Sequence, residues 1–137
     1  MTEKRPNRVH GPRHDEFWAG CAHDELRLQR CASCRELAWP VVDACQHCGS
    51  TDLAFERMSG RGRLISWCTF ERDYYKGLFP IPWPTILVEL EEGPLFVSNP
   101  QGFGADEYQL DKPLRVAFID CEDDAGAFRL PVFESDA

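Results

Sequence analysis

Two CxxC motifs dominate the N-terminal half of this chain. They are Cys31-Ala-Ser-Cys34 and Cys45-Gln-His-Cys48, with ten residues between them. Each motif is typical of a tight turn that directs two sulfur atoms to one point, so the pair can supply four thiolates to a tetrahedral ion at about 2.3 Å per bond. Such a closed shell cannot activate water, and it replaces a hydrophobic core in a segment too small to build one. The spacing predicts one structural zinc ion.

Other chemistries also use paired cysteines. A disulfide framework is disfavoured because seven cysteines is an odd number in a chain predicted to be cytosolic. A redox CxxC usually opens a helix in a βαβ unit, and neither motif has that setting. An all-thiolate iron site remains geometrically possible. His47 is a candidate substitute ligand, but four thiolates already fill the site, so we expect it to be exposed. Cys68 and Cys121 lie in apolar alternating segments and are expected in the core.

The net charge disfavours one broad class of function, the general nucleic-acid binder. The chain has 137 residues and a formal net charge of −8, whereas a general nucleic-acid binder needs clustered Lys and Arg. No apolar run approaches the roughly 20 residues of a membrane span. Residues 1–13 are polar and basic and lack the apolar stretch of a secretory signal. We therefore expect a cytoplasmic protein with no nucleic-acid partner and no membrane partner.

The positions of glycine and proline residues, which favour turns and loops, divide the chain into three units. Residues 1–24 are predicted to be a flexible arm followed by a short helix over residues 14–19 that ends at Gly20. Residues 25–58 are predicted to form a zinc ribbon of three short strands around the two cysteine turns. Residues 59–137 contain only strands, predicted at 64–70, 85–90, 95–98, 114–121 and 127–133. Five strands of this length suit an OB-fold barrel, so the fold class is mostly β.

No catalytic signature is present. The chain has no GxSxG, HExxH or P-loop motif and no evident nucleophile–base pair. The acidic run at residues 120–124, which includes Asp120, Glu122, Asp123 and Asp124, indicates a solvated turn more than paired catalytic carboxylates. The sequence therefore gives no positive indication of independent catalysis.

Two further features are candidates for binding. Residues 74–84 carry the aromatic side chains Tyr74, Tyr75, Phe79 and Trp83 among three prolines that prevent a regular helix or a central strand. They form either a contact surface or a cap on one end of the barrel. Arg57, Arg61 and Arg63 surround two glycines, and either meet phosphate groups or are exposed turn residues without a function.

The order of these motifs resembles the zinc-ribbon/OB-fold proteins that accompany acyl-CoA enzymes, a family long catalogued as a domain of unknown function. Residues 14–133 carry the resemblance. Its features are Phe17-Trp18, Glu25-Leu26, Gln29-Arg30-Cys31, Cys34, Cys45, Cys48-Gly49-Ser50, Ser59-Gly60-Arg61-Gly62, residues 84–93 and Leu130-Pro131-Val132-Phe133. Arg35 departs from the pattern, since the family often has glycine there.

The resemblance implies an N-terminal helical segment, a rubredoxin-like zinc ribbon and a C-terminal OB-fold barrel. It also implies a non-catalytic subunit that docks on a thiolase-superfamily acyl-CoA enzyme, such as a thiolase or an aldolase of steroid side-chain breakdown. A partner of an acyl-CoA hydratase and a stand-alone acyl-CoA-binding protein are the alternatives. A single-strand nucleic-acid module is disfavoured by the acidity.

An accessory subunit needs a docking surface, and interfaces are enriched in aromatic side chains. We expect that surface at Tyr74, Tyr75, Phe79 and Trp83, with Phe17 and Trp18 as a second contact. If acyl-CoA binds directly, Arg57, Arg61 and Arg63 are the candidates for its phosphates.

Overall fold

The computed structural model of the chain describes residues 3–74, 76–78 and 80–137. These residues contain one α-helix, α1 (Pro12–Ala22), and a short 3-10 turn at Ala105–Glu107. The strands are β1 (Glu3–Lys4), β2 (Arg27–Cys31), β3 (Leu37–Ala38), β4 (Leu53–Arg57), β5 (Arg61–Phe70), β6 (Trp83–Leu90), β7 (Leu95–Ser98), β8 (Pro113–Asp123) and β9 (Gly126–Ser135). The mostly β architecture predicted from the sequence is confirmed.

The first sheet carries the cysteines. Its strand order is β3-β2-β4, and both pairings are antiparallel. Leu26 and Leu28 are fully buried and anchor this small sheet in the common core. Because a sheet of three short strands has little core of its own, the rest of its stability must come from the cysteine site and from packing on its neighbours.

The second sheet is an OB-type barrel. β5, β6 and β7 form an antiparallel meander, β8 pairs with the other side of β5, and β9 pairs with β8. The segment after β7 approaches β9 at an isolated parallel bridge between Pro100 and Phe133, and no continuous ladder joins β7 to β9 among the described residues. Pro131 has no N–H to donate, which suits its place on β9 beside this gap.

Leu64 is the one residue of β5 that is fully buried, and it lies just before a β-bulge. The register of β5 against β6 shifts between Leu64 and Ser66. Since side chains alternate with a period of two, one extra residue moves the following positions to the opposite face. After the bulge, however, residues 66–70 are exposed on both faces of the strand, so this end of β5 lies outside the core. Cys68 is among them, and its predicted core location was wrong, whereas Cys121 on β8 is fully buried as predicted.

Helix α1 is longer than the predicted 14–19. It begins at Pro12, where a fixed φ favours the first helical turn and the missing N–H is not needed. The helix was predicted to end at Gly20, but it continues to Ala22. Gly20 is buried inside α1, and a Cβ atom there would lie 2.9 Å from Cδ of Arg27. Glycine is present because the helix packs closely against β2.

An aromatic cluster connects the helix, the ribbon and the barrel. The ring of Phe17 in α1 lies 4.9 Å from Trp39, which follows β3. Trp39 stacks on Phe96 of β7 at 4.7 Å, and Phe96 contacts Phe133 of β9 at 5.9 Å. The three units predicted from the sequence thus share one apolar core.

The N-terminal arm is bound to the barrel, so the prediction of a flexible arm was wrong for its described residues. β1 pairs in parallel with the end of β8. Further along, the Arg8 guanidinium donates from Nε to Oδ2 of Asp123 at 2.7 Å and from Nη2 to Oδ1 at 3.1 Å. The same guanidinium lies 4.3 Å from the centroid of the Phe128 ring.

Asp123 is the acidic partner that holds this arm. Its side chain is 0% exposed, so its predicted location in a solvated turn was wrong. Hydrogen bonds from the side chain of Arg8, and from the backbone N–H groups of Arg8 and Ala125, hold the pKa of Asp123 well below its usual range. The exposed turn between β8 and β9 consists only of Asp124 and Ala125.

Candidate metal centre and neighbouring surfaces

The four cysteine sulfurs converge on one point between the two motifs. They lie within 4.8 Å of one another, with 3.5 Å between Cys31 and Cys48 and 3.6 Å between Cys34 and Cys45. Four sulfurs bonded at 2.3 Å to a tetrahedral ion lie about 3.8 Å apart, whereas a disulfide requires about 2.05 Å. The donor set and its spacing fit a structural zinc site, as predicted.

Both cysteine turns have the same backbone design. The N–H of Arg35 donates to the carbonyl of Cys31, and the N–H of Gly49 donates to the carbonyl of Cys45, each at 2.9 Å. Both donors have a left-handed φ, which is 68° at Arg35 and 78° at Gly49. The position after each motif therefore needs a residue that tolerates positive φ, and Arg35 meets this need with more strain than glycine would.

Backbone dipoles favour the thiolate form at the first cysteine of each motif. The N–H groups of Cys34 and Ser33 point at the Cys31 sulfur and lower its pKa to about 6. The N–H groups of Cys48 and His47 lower the pKa of Cys45 in the same way, with His47 N at 3.4 Å from the sulfur. Since metals bind thiolates, both turns are organised for a cation.

The segment between the motifs is held by a buried amide. The Gln29 side chain donates to the carbonyl of Val42 at 2.9 Å and accepts from the N–H of Val42 at 2.8 Å. This pair satisfies the polar groups of a fully buried glutamine and fixes the loop relative to β2. Gln29 was not singled out from the sequence, where nothing distinguishes it from an exposed strand residue.

The metal centre has a structural role. When bound, zinc would be held by Cys31, Cys34, Cys45 and Cys48 and would cross-link the two turns. Four thiolates complete a tetrahedral shell, which leaves no open position for a substrate. His47 is exposed, as expected, and does not belong to the group of sulfurs.

The predicted aromatic surface lies beside a cleft of about 570 Å³. Tyr74 is 66% exposed, and Trp83 is half-buried with the Arg5 guanidinium 4.7 Å from its ring. Tyr75 and Phe79 lie outside the described residues. The structure adds three apolar residues that the sequence did not indicate. We call the apolar lining of this cleft the aromatic cleft: Phe70, Tyr74, Ile81, Trp83 and Val97.

The second predicted contact, Phe17 and Trp18, is mostly interior. Phe17 is 3% exposed and packs in the aromatic cluster, so it has almost no surface to offer a partner. This burial argues against the partner-binding role predicted for Phe17. Trp18 is partly buried against Phe128, at 5.3 Å between ring centroids. Trp18 borders a separate cleft of about 300 Å³ that also includes Arg8.

The three predicted arginines are divided between two environments. Arg57 and Arg61 line a cleft of about 420 Å³ together with Arg115. Arg63 lies outside that cleft and is neutralised by Glu89 at 2.7 Å and Asp111 at 2.6 Å. Sequence reasoning missed Arg115, because only the pairing of β5 with β8 brings it opposite Arg61.

Among the described residues, no helix is both long enough and apolar enough to cross a membrane.

Fold and metal centre together define a zinc-ribbon protein whose ribbon packs on an OB-type barrel. Comparison with known proteins agrees with this class. The ChsH2 rubredoxin-like zinc ribbon domain matches residues 18–54, which include all four cysteines. A solved structure described as the Ltp2-ChsH2(DUF35) aldolase is 28% identical, with a TM-score of 0.81 over 97% of this chain and 100% of that chain. Together these matches support a zinc-ribbon protein of the DUF35 family.

Two curated relatives are longer than this chain. A probable enoyl-CoA hydratase alpha subunit of Thermomonospora curvata is 30% identical over 97% of this chain and 42% of its own length. The 3-oxo-4,17-pregnadiene-20-carboxyl-CoA hydratase alpha subunit of Mycobacterium tuberculosis is 32% identical over 78% of this chain and 34% of its own length. The chain thus spans less than half the length of either relative.

Proposed function

We propose that this chain is a non-catalytic, zinc-binding accessory subunit that docks on a thiolase-superfamily acyl-CoA enzyme and supports its active assembly. The observation that carries the proposal is the match to the DUF35 part of an aldolase, which extends over nearly all of this chain and the whole of that one. Steroid or lipid side chains are the proposed substrates of the assembly, because one relative is named for a pregnadiene carboxyl-CoA.

The chemistry of the chain supports an accessory role. Its metal centre is closed by four thiolates, so zinc has no site at which to polarise a substrate. The partner would supply the nucleophile and the base. This chain would supply a rigid surface and fix the geometry of the assembly, because small displacements of reacting groups have large effects on rate.

The purified chain alone is expected to show no thiolase, aldolase or hydratase turnover. Turnover should appear, or increase at least tenfold, when a thiolase-like partner is added. Steady-state assays with acyl-CoA substrates, on the two proteins separately and together, check this result. Robust turnover by the chain free of any partner would contradict the accessory role.

Docking is proposed at the aromatic cleft. Interfaces concentrate their binding energy in a few aromatic side chains that become fully desolvated. Tyr74 is already ordered by an edge-on contact with Phe70, at 6.4 Å between ring centroids, which reduces the entropy lost on docking. Tyr75 and Phe79 remain predicted members of the same surface, and Trp18 remains a secondary candidate.

Replacing Trp83 with alanine should weaken partner binding by about 2 kcal/mol, or roughly 30-fold in Kd, a typical hot-spot value. Tyr74→Ala should have a similar effect with less influence on the fold, because its side chain is largely exposed. Isothermal titration calorimetry with the partner measures the loss of affinity in both variants.

Trp67→Ala is the matched control: this tryptophan is 43% exposed on β5 but does not line the cleft. Folded, zinc-loaded Trp83 and Tyr74 variants that bind normally would place the interface elsewhere.

A second candidate is an accessory role on an acyl-CoA hydratase. It is favoured by the names of both curated relatives, each a hydratase alpha subunit. The same titrations with a hydratase subunit distinguish the two candidate functions, because each function predicts saturable binding to only one of the two classes of enzyme.

A further inference from the structure

Strand β7 lies at the end of its sheet and has one free edge, because it pairs only with β6. At the start of this pairing, the N–H of Leu90 donates to the carbonyl of Pro94 at 2.9 Å. Hydrogen-bonded and non-hydrogen-bonded pairs alternate along an antiparallel ladder, so the backbone N–H and C=O groups of Leu95 and Val97 point away from β6. Within the residues that the structure describes, none of these four groups has a hydrogen-bond partner.

The side chains of the same two residues are also uncovered. Leu95 is 49% exposed and Val97 is 64% exposed, whereas Phe96 between them is 3% exposed. Leu95 lines a cleft of about 470 Å³ beside the ribbon. Val97 lines both the aromatic cleft and the cleft of about 300 Å³ that Trp18 borders. Open space therefore adjoins β7 at both of these residues.

The free edge determines the chemistry of what binds there. N–H and C=O groups repeated at every second residue match an extended peptide backbone, which can bond to both groups of each residue. Many proteins protect such an edge with a charged residue, a proline or a bulge. β7 consists of Leu95-Phe96-Val97-Ser98, which includes no charge and no proline, and its register against β6 has no bulge. This edge therefore favours the addition of a strand.

Charges at the two ends of β7 are opposite in sign. Glu91 and Glu92 lie in the turn before β7, and Arg72 lines the aromatic cleft together with Ser98, which ends β7. Among the described residues, none of these three charged side chains has an ion-pair partner. A complementary strand thus has a basic residue beside the turn and an acidic residue beside Arg72. A second copy of this chain fits less well, because each copy has a net charge of −8.

We propose that β7 receives an extended segment of the partner enzyme as an additional strand, and that side chains of this segment enter the aromatic cleft. The inference rests on the proposed function, because the segment belongs to the acyl-CoA enzyme. Val97 is part of both the free edge and the aromatic cleft. One segment, about 4.8 Å from β7, can therefore form backbone hydrogen bonds with the strand and apolar contacts in the cleft.

Replacing Val97 with proline tests the backbone hydrogen bond directly. The folded chain does not use this N–H, and an edge strand tolerates proline where the N–H faces outward, so the variant should fold and retain zinc. Proline removes the donor and places its ring against the added strand. Partner binding, measured by isothermal titration calorimetry, should therefore weaken at least about tenfold. Val97→Ala is the matched control: it keeps the N–H and should weaken binding less than about fivefold, as most truncated interface side chains do.

Amide hydrogen exchange on the wild-type complex is a second measurement that needs no variant. Partner binding should slow exchange at the N–H groups of Leu95 and Val97 at least about tenfold. The N–H of Phe96, which is bonded to β6, should already be protected in the free chain and serves as the internal control. Glu91→Lys should weaken binding about threefold at low salt, because it reverses the charge beside the basic residue of the segment. Unchanged or tighter binding of this variant would contradict the proposed charge of the segment.

Three results would overturn the inference. Normal partner binding by a folded Val97→Pro variant, or unchanged exchange at Leu95 and Val97 in the complex, would do so while leaving the proposed function intact. Protection of both N–H groups in the free chain, together with dimers in analytical ultracentrifugation, would make a second copy the occupant of the edge. No binding of the wild-type chain to any acyl-CoA enzyme would refute the proposed function and this inference together.

Discussion

Replacing Cys45 with serine should unfold the ribbon and abolish zinc binding. Structural zinc sites have apparent binding free energies of about 10–16 kcal/mol, as large as the whole stability of a typical domain. The β3-β2-β4 sheet has only short strands and cannot compensate for that loss. We expect one zinc per wild-type chain and none in the variant, as measured by mass spectrometry under native conditions and by elemental analysis. Circular dichroism should show the loss of ribbon structure.

The chain contains its own control for this experiment. Cys68→Ser makes the same chemical change at an exposed position on β5 that is not part of the four-sulfur group. It should retain the metal and the wild-type unfolding midpoint. A protein that keeps its full structure after exhaustive chelation and verified metal loss would contradict the structural role of zinc.

The second large effect is expected at the Arg8–Asp123 pair. Asp123→Asn removes the charge from a carboxylate whose side chain has no exposure and leaves an Arg8 side chain that is only 11% exposed without its counter-charge. Breaking a buried pair in this way costs about 3 kcal/mol or more. Urea unfolding at neutral pH measures the loss. Asp124→Asn, one residue further and exposed, should change stability by less than about 0.5 kcal/mol.

The effect of Asp123→Asn should depend on pH in a defined direction. The folded-state pKa of Asp123 is lowered, so the unfolded chain binds its proton more readily. The stabilisation is therefore complete above the unfolded pKa of about 3.9 and is lost as pH falls below it. The advantage of the wild-type chain over Asp123→Asn should therefore be smaller at pH 3 than at pH 7, and it should keep falling until the pH passes below the folded-state pKa. An advantage that is constant over this range would show that the pair does not carry the stabilisation.

The metal centre was predictable because the residues that define each pair of ligands are close together in the sequence. Ligand type and spacing within each CxxC motif define a sulfur pair without reference to the rest of the chain. The strands were predictable for the same reason, and Leu95–Ser98 was predicted with its observed bounds. Alternation of apolar and polar residues involves only a few neighbouring positions, so it can be recognised without knowledge of the tertiary structure.

Several differences between prediction and structure come from contacts between residues distant in sequence. Cys68 was assigned to the core because alternation along β5 does not show that residues 66–70 extend beyond the elements that would cover them. Asp123 was assigned to solvent because its partner, Arg8, lies at the other end of the chain. Phe17 was expected to meet a partner, but Trp39 and the barrel already cover it.

The sequence by itself determined a four-cysteine zinc ribbon followed by a β-only domain, because metal spacing and strand periodicity are short-range properties. Only the tertiary structure decided which surfaces remain available. Pairing of β5 with β8 placed Arg115 beside Arg61, while Glu89 and Asp111 neutralised Arg63. Charges and apolar side chains act through space, so their effect depends on neighbours that folding, and not chain order, brings within a few ångströms.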